Sequence, residues 1–110
     1  MIMIRITICS FMEKQKEVMQ TLISLIEAPG KESGCLSYGI FCDIKDKNVF
    51  NLISEWETRE DLDEHITSNR FSVLLGTKSL LCEPPKIEIH MVSHSEGMEA
   101  IAAVRSKRNL

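Results

Sequence analysis

The chain has 110 residues, of which 44% are hydrophobic and 26% are charged, a balance that predicts one globular domain and argues against disorder. The net charge of −3 provides no basic stripe for neutralising phosphates, so we expect no nucleic-acid partner. The apolar start, MIMIRITICS, is too short to span a bilayer and no small-residue cleavage site follows it, so we expect neither a membrane anchor nor a signal peptide.

The first strand and helix follow from a change in the hydrophobic period. Every second residue of the first strand is isoleucine: Ile2, Ile4, Ile6 and Ile8. From Glu13 to Glu27 the spacing becomes helical, and the predicted apolar stripe comprises Val18, Leu22, Ile23, Leu25 and Ile26. Pro29-Gly30 is predicted to end this helix, because proline cannot continue it and glycine accepts the reversed backbone.

Two strands joined by a hairpin come next. The alternating residues of the second strand are Leu36, Tyr38, Ile40 and Cys42. The polar segment 45–48 predicts the turn. The third strand, VFNLISEW, has Phe50, Leu52, Ser54 and Trp56 on one face and Val49, Asn51, Ile53 and Glu55 on the other. Neither face is wholly polar, which indicates that both are at least partly covered.

A second helical segment and a fourth strand complete the pattern. Thr58 followed by Asp61 resembles a capping box, and the helix is predicted to run to about Leu81 with a break near Ser68-Asn69. Pro84-Pro85 ends it, and KIEIHMVS reads as a strand. Residues 95–110 are a tail that could hold a short helix through Met98, Ile101 and Val104.

The resulting order is β-α-β-β-α-β, which predicts an α+β, ferredoxin-like domain over residues 1–94 with an antiparallel sheet. The four cysteines have no CxxC pair and no zinc-site spacing. They are therefore expected to be reduced thiols in a cytoplasmic protein.

The element order, the ESGCLSYGI stretch and the E-W…H-x-x-S-x-x-F pattern resemble the antibiotic biosynthesis monooxygenase family. The residues that carry this last pattern are Glu55, Trp56, His65, Ser68 and Phe71. The resemblance covers roughly residues 2–93 and implies a dimeric α+β barrel. The family contains quinol and anthrone monooxygenases, haem-degrading enzymes and an isomerase, so the likeness indicates fold more strongly than activity.

The chemistry that the resemblance implies needs an apolar pocket, a base active near pH 7 and exclusion of water, because a deprotonated hydroquinone can pass an electron to dioxygen unaided. His65 is the candidate base and Trp56 its catalytic partner. Trp56, Leu52 and Tyr38 are predicted to form a floor, and His65, Asn69 and Leu62 a helical wall. Phe71 is a further candidate for substrate contact.

Structural roles remain open for the same residues. Trp56 could be core, and His65 could bond a backbone carbonyl or the Glu55 carboxylate to hold the helix on the strand. Ser68 is expected to cap or bend the helix. Glu88, His90 and His94 are a weak metal candidate, and no metal site is predicted. The resemblance implies that haem-degrading members have an asparagine on the first strand and an iron-ligating histidine late in the second helix. The matching positions here lie near Ile6 or Thr7 and near Leu75 and supply no iron ligand, so haem degradation is not expected.

The sequence therefore predicts a cytoplasmic homodimer, packed sheet to sheet, that acts as a monooxygenase. Its expected partners are a small aromatic, quinol-like compound and dioxygen, with no cofactor, no metal, no nucleic acid and no membrane. Two alternatives remain: a non-catalytic binding or assembly module of the same fold, and an isomerase of a small oxygenated metabolite that uses His65 for proton transfer.

Overall fold

The computed structural model describes residues 1–27 and 32–108. The fold is built on a four-stranded antiparallel sheet with helices on one face. Its strands are β1 (Ile2–Cys9), β2 (Cys35–Cys42), β3 (Val49–Trp56) and β4 (Lys86–Met91), in the spatial order β2-β3-β1-β4. The helices are α1 (Gln15–Glu27), α2 (Arg59–Ile66), α3 (Asn69–Leu75) and α4 (Met98–Arg108), with 3₁₀ turns at Met12–Lys14 and Gly76–Leu80. The predicted α+β, ferredoxin-like class is confirmed.

The core forms between the sheet and the helices α1, α2 and α3. All four alternating isoleucines of β1 are buried, as the period-two pattern predicted. Val18, Leu22 and Leu25 lie one helical turn apart and pack on this sheet face, because the spacing i, i+4, i+7 keeps them on one side of α1. The wider predicted stripe was wrong at Ile23 and Ile26, which point away from the sheet and are exposed. The predicted stop at Pro29-Gly30 lies outside the described residues.

The β2–β3 hairpin has the predicted turn and one irregularity. Asp43 closes the turn by accepting hydrogen bonds from the backbone N–H groups of Lys45 and Asp46 at 2.9 and 2.8 Å. A register shift between Cys35 and Ser37 interrupts the pairing, so Leu36 is exposed rather than continuing the buried row predicted for β2. Beyond the shift, Tyr38 and Ile40 oppose Ser54 and Leu52 on the helix-covered face.

Two hydroxyl caps divide the second helical segment. Thr58 Oγ1 accepts a hydrogen bond from the Asp61 N–H at 3.1 Å and starts α2. Ser68 Oγ accepts one from the Phe71 N–H at 3.2 Å and starts α3, which confirms both the predicted break and the capping role of this serine. The helical segment is therefore broken at Thr67 and Ser68, shortly after His65.

The second face of the sheet is not covered by helices in the single chain. Val49, Ile53 and Phe41 lie on this open face, and Phe41 is 54% exposed. On the helix-covered side, the edge strand β4 is also bare, since Met91 is 84% exposed. Helix α4 carries the exposed apolar residues Met98, Ile101 and Val104. Within the described residues, no helix is long and apolar enough to cross a membrane.

Candidate functional site

Trp56 forms the base of the candidate site. It is the last residue of β3, and the strand's alternation turns it towards the helices, where it is 0% exposed. Its indole Nε1–H donates to Ser54 Oγ at 2.9 Å, so the one polar atom of the ring is satisfied by a residue on the same face of the strand. The hydrogen bond fixes the plane of the indole beneath α2.

His65 lies on that indole. Its side chain is 3% exposed and its ring is stacked on Trp56, with centroids 4.6 Å apart and an interplanar angle of 26°. Phe71 and Tyr38 contact the imidazole edge-on, at centroid distances of 5.4 and 5.8 Å. Three aromatic rings from β2, β3 and α3 therefore surround one titratable group, which we call the aromatic cage (Tyr38, Trp56 and Phe71).

Glu32 supplies the charged partner of His65. Its Oε2 lies 2.5 Å from Nδ1 of the imidazole, although the two residues are 33 positions apart in the chain. A carboxylate can only accept a hydrogen bond, so Nδ1 carries the proton and Nε2 of the neutral ring holds the lone pair. The pair thus selects the tautomer in which Nε2 is the basic nitrogen.

A glycine turn brings Glu32 to this position. The Cys35 N–H donates to the Glu32 carbonyl at 3.1 Å, and Gly34 has a φ of +76°, in the left-handed region that favours glycine. A Cβ at Gly34 would also come within 2.1 Å of the Asp61 carboxylate. Both observations require glycine here, because the loop approaches the first turn of α2 closely.

The pKa of His65 is lowered from its ordinary value. Burial is the largest cause, since it disfavours the imidazolium, and the nearby Arg70 charge acts in the same direction. The Glu32 carboxylate acts in the opposite direction, because its charge and its hydrogen bond each raise the pKa of His65. The pKa of Tyr38 is raised, mainly by burial, with Arg70 opposing. A neutral imidazole at neutral pH is the form that can accept a proton.

A cleft of about 220 Å³ opens beside His65. Its lining consists of Glu32, Ser33, Asp61, Glu64, His65 and Ser68. The carboxyl groups and hydroxyls make it rich in hydrogen-bond acceptors. Its volume is below the range of roughly 300–1,000 Å³ that is usual for drug-sized ligands, so the cleft suits a compound smaller than a typical drug molecule.

The structure brings some of the predicted site residues together and separates others. Trp56, Tyr38 and Phe71 each contact His65. Leu52 and Leu62 are buried members of the hydrophobic core. Asn69 is exposed at the first position of α3, so it does not continue the α2 face that carries His65, as the prediction had assumed.

The predicted geometry of the cleft also differs. We expected a space between the Trp56 floor and the His65 wall, but the two rings are stacked in contact and leave no room for a third ring between them. Glu55, one of the two structural partners considered for His65, lies on the opposite sheet face and accepts a hydrogen bond from Ser37 Oγ at 2.5 Å. The actual partner, Glu32, was missed. The sequence feature that could have indicated it is a carboxylate two residues before Gly34.

The weak metal candidate is not assembled. His90 Nε2 is 3.8 Å from Glu88 Oε2, whereas His94 pairs with Glu96 at 3.4 Å. Among residues 1–27 and 32–108, no three His, Cys, Asp or Glu side chains converge as a metal site.

Comparisons with known proteins agree with this fold. A family model described as antibiotic biosynthesis monooxygenase matches residues 1–74. A conserved protein from Methanosarcina mazei superimposes with a TM-score of 0.74 at 29% identity, covering 81% of this chain and 89% of that one. The crystal structure of an antibiotic biosynthesis monooxygenase gives 0.78 at 23% identity, covering 86% and 100%.

A curated relative is similar in sequence. It is an uncharacterised Synechocystis protein, 27% identical over 85 residues, which are 76% of this chain. The chain spans 58% of that relative's length.

Proposed function

Because the chain belongs to the antibiotic biosynthesis monooxygenase family, we propose that it is a cofactor-independent monooxygenase acting on a small aromatic, quinol-like compound. The observation that carries this proposal is the buried His65, oriented by a carboxylate and surrounded by the aromatic cage. We place the enzyme in the cytoplasm as a homodimer, with the substrate and dioxygen as its small-molecule partners.

In this proposal His65 is the general base. Nε2 accepts a proton from a ring hydroxyl of the substrate, and the lowered pKa keeps the imidazole neutral and able to do so. Trp56 supports the ring of His65 from below. Tyr38 and Phe71 bound the site, Leu52 and Leu62 support it from the core, and Asn69 contacts the substrate at its rim.

The acceptor-rich cleft favours a neutral, hydroxylated substrate. The carboxyl groups of Glu32, Asp61 and Glu64 would repel a carboxylate or phosphate. Phenolic hydroxyls, by contrast, can donate to these oxygens and to the two serines that complete the lining. The volume of about 220 Å³ suits a one-ring compound.

The proposed reaction needs no external reductant. A hydroquinone and dioxygen give a hydroxyquinone and water, so atoms and electrons balance within the two reactants. Deprotonation by His65 makes the ring electron-rich enough to pass an electron to dioxygen. One oxygen atom then enters the ring, and the other leaves as water.

Oxygen uptake with a one-ring hydroquinone tests the proposal. We expect consumption equimolar with substrate, and with ¹⁸O₂ one labelled atom in the hydroxyquinone and one in water. Heat-denatured protein measures spontaneous oxidation, and catalase reveals any peroxide. Substrate conversion without oxygen uptake would instead indicate the isomerase, and neither uptake nor conversion would contradict an enzymatic role with this substrate class.

A Glu32→Gln variant tests the orienting carboxylate. Glutamine can still accept from Nδ1–H, but it lacks the charge that raises the pKa of His65, so burial acts with less opposition and the pKa falls further. Because the neutral imidazole is the active form, the acid limb of the pH–rate profile should move to lower pH. The maximal rate should also drop, since the base is weaker.

Glu64→Gln is the matched control, because Glu64 lines the same cleft but is not among the groups that shift the pKa of His65. An NMR titration of the imidazole protons gives the pKa directly, with His65→Asn identifying the signal. Equal titration curves in the wild type and Glu32→Gln would contradict the role assigned to Glu32.

The second candidate is a non-catalytic binding module. The deep burial of His65 favours it. In this reading, the contact of His65 with Trp56 holds α2 on β3, and its contact with Glu32 holds α2 on the loop before β2. This candidate predicts saturable binding of the hydroquinone with no change in oxygen concentration.

A further inference from the structure

Cys9 and Cys82 lie opposite each other where the chain after β1 meets the segment before β4. Ser10 and Leu81 form an antiparallel bridge, and the Cys82 N–H donates to the Cys9 carbonyl at 2.8 Å. Directly opposed residues that share such a backbone bond have Cα atoms about 5.5 Å apart. A disulfide requires about 4.4–6.8 Å, so the Cα separation expected for this pairing falls within the range that a disulfide can bridge.

The two thiols are neighbours, because directly opposed residues of an antiparallel pair project to the same side. A hydrogen bond with the Cys82 side chain is the largest cause that raises the pKa of Cys9, to about 11, and burial adds to it. Cys82 is exposed, whereas Cys9 is half-buried. An oxidant therefore reaches Cys82 first and finds Cys9 beside it.

We propose that Cys9 and Cys82 form an oxidation site at which a hydroperoxide produces a reversible disulfide. The Cys82 sulfur attacks the peroxide O–O bond, which gives a sulfenic acid and releases water or an alcohol. The Cys9 sulfur then displaces hydroxide from that sulfur, the S–S bond forms, and a second water carries away the thiol proton. Two thiols are oxidised and one peroxide is reduced.

Oxidation of Cys82 lowers one obstacle to the attack by Cys9. The raised pKa makes Cys9 a poor nucleophile, but its largest cause is the neighbouring thiol. Once Cys82 is a sulfenic acid, the repulsion between two neighbouring thiolates is lost. An exposed disulfide of this kind is open to reduction, which fits a transient bond in a reducing compartment.

The pair is separate from the candidate active site. Ile2, at the other end of β1, pairs with Trp56, whereas Cys9 pairs with Val49 at the far end of β3. Loss of the disulfide and loss of monooxygenase activity are therefore distinguishable, because neither thiol contacts His65 or the aromatic cage.

Peptide mapping tests the proposal on the reduced, full-length protein. Trypsin separates the two thiols, since Cys9 falls in residues 6–14, Cys82 in 79–86, and Cys35 with Cys42 in 32–45. After mild hydrogen peroxide treatment and alkylation, we expect 6–14 linked to 79–86 within one chain, with the 32–45 peptide fully alkylated. Dithiothreitol should release the link.

Cys42→Ser is the matched control and should leave the link intact, because Cys42 is exposed but lies at the end of β2. Cys82→Ser should abolish the link and leave Cys9 alkylatable. Peroxide-treated protein in which both peptides remain unlinked, or in which links form only between chains, would overturn the proposal.

Discussion

Replacing His65 with alanine should lower oxygen-dependent turnover of a hydroquinone by about 10²–10⁴-fold, the usual cost of losing a general base. The substitution removes Nε2, the proposed proton acceptor, and leaves the Glu32 carboxylate without its partner. It also removes a buried hydrogen bond worth about 1–3 kcal/mol, so the melting temperature should fall by several degrees. Turnover is therefore measured well below the melting transition, alongside thermal melting.

Two further variants separate chemistry from stability. His65→Asn keeps an amide N–H near the position of Nδ1 that can donate to Glu32, but it has no counterpart of Nε2. It should recover part of the melting temperature without recovering the rate. His94→Ala removes an exposed histidine outside the strands and should change neither. A His65→Ala protein that melts early yet keeps the wild-type rate would end the catalytic assignment.

Much of the fold was predictable because local patterns carried it. The isoleucines of β1 alternate without interruption, and Thr58 and Ser68 are hydroxyl residues at the helix starts they cap. The failures have equally local causes. Leu36 left the buried row through a one-residue register shift, which no alternation pattern records. Ile23 and Ile26 were included in the helical stripe beside Leu22 and Leu25, but they are exposed.

The candidate site was less predictable, because it depends on contacts between distant segments. Trp56 and His65 follow one another along the chain, so their proximity could be inferred from a strand leading into a helix. The partnership with Glu32 depends on the Gly34 turn and on the packing of that turn against Asp61. Sequence periodicity contains no information about such a contact between loop and helix.

The protein should be a dimer in solution at micromolar concentration. The open face of the sheet carries the apolar residues Phe41, Val49 and Ile53 beside Ser37, and Val92 follows the end of β4. We expect this apolar surface to be covered by a partner. A second copy packed face to face should bury more than about 1,200 Å² in total. Light scattering should then give twice the chain mass of 12.5 kDa.

Charges placed on this face should separate the two copies. In Phe41→Asp/Ile53→Asp, dimerisation would bury unpaired carboxylates, at a cost of about 2–5 kcal/mol. Since roughly 1.4 kcal/mol is tenfold, we expect association to be weaker by about thirtyfold or more. Ile44→Asp is the control, since Ile44 is 98% exposed in the hairpin loop and should leave the dimer intact. If charges at Met98 and Ile101 of α4 split the dimer while those at Phe41 and Ile53 do not, the interface lies on α4. A wild-type mass of 12.5 kDa would remove the dimer altogether.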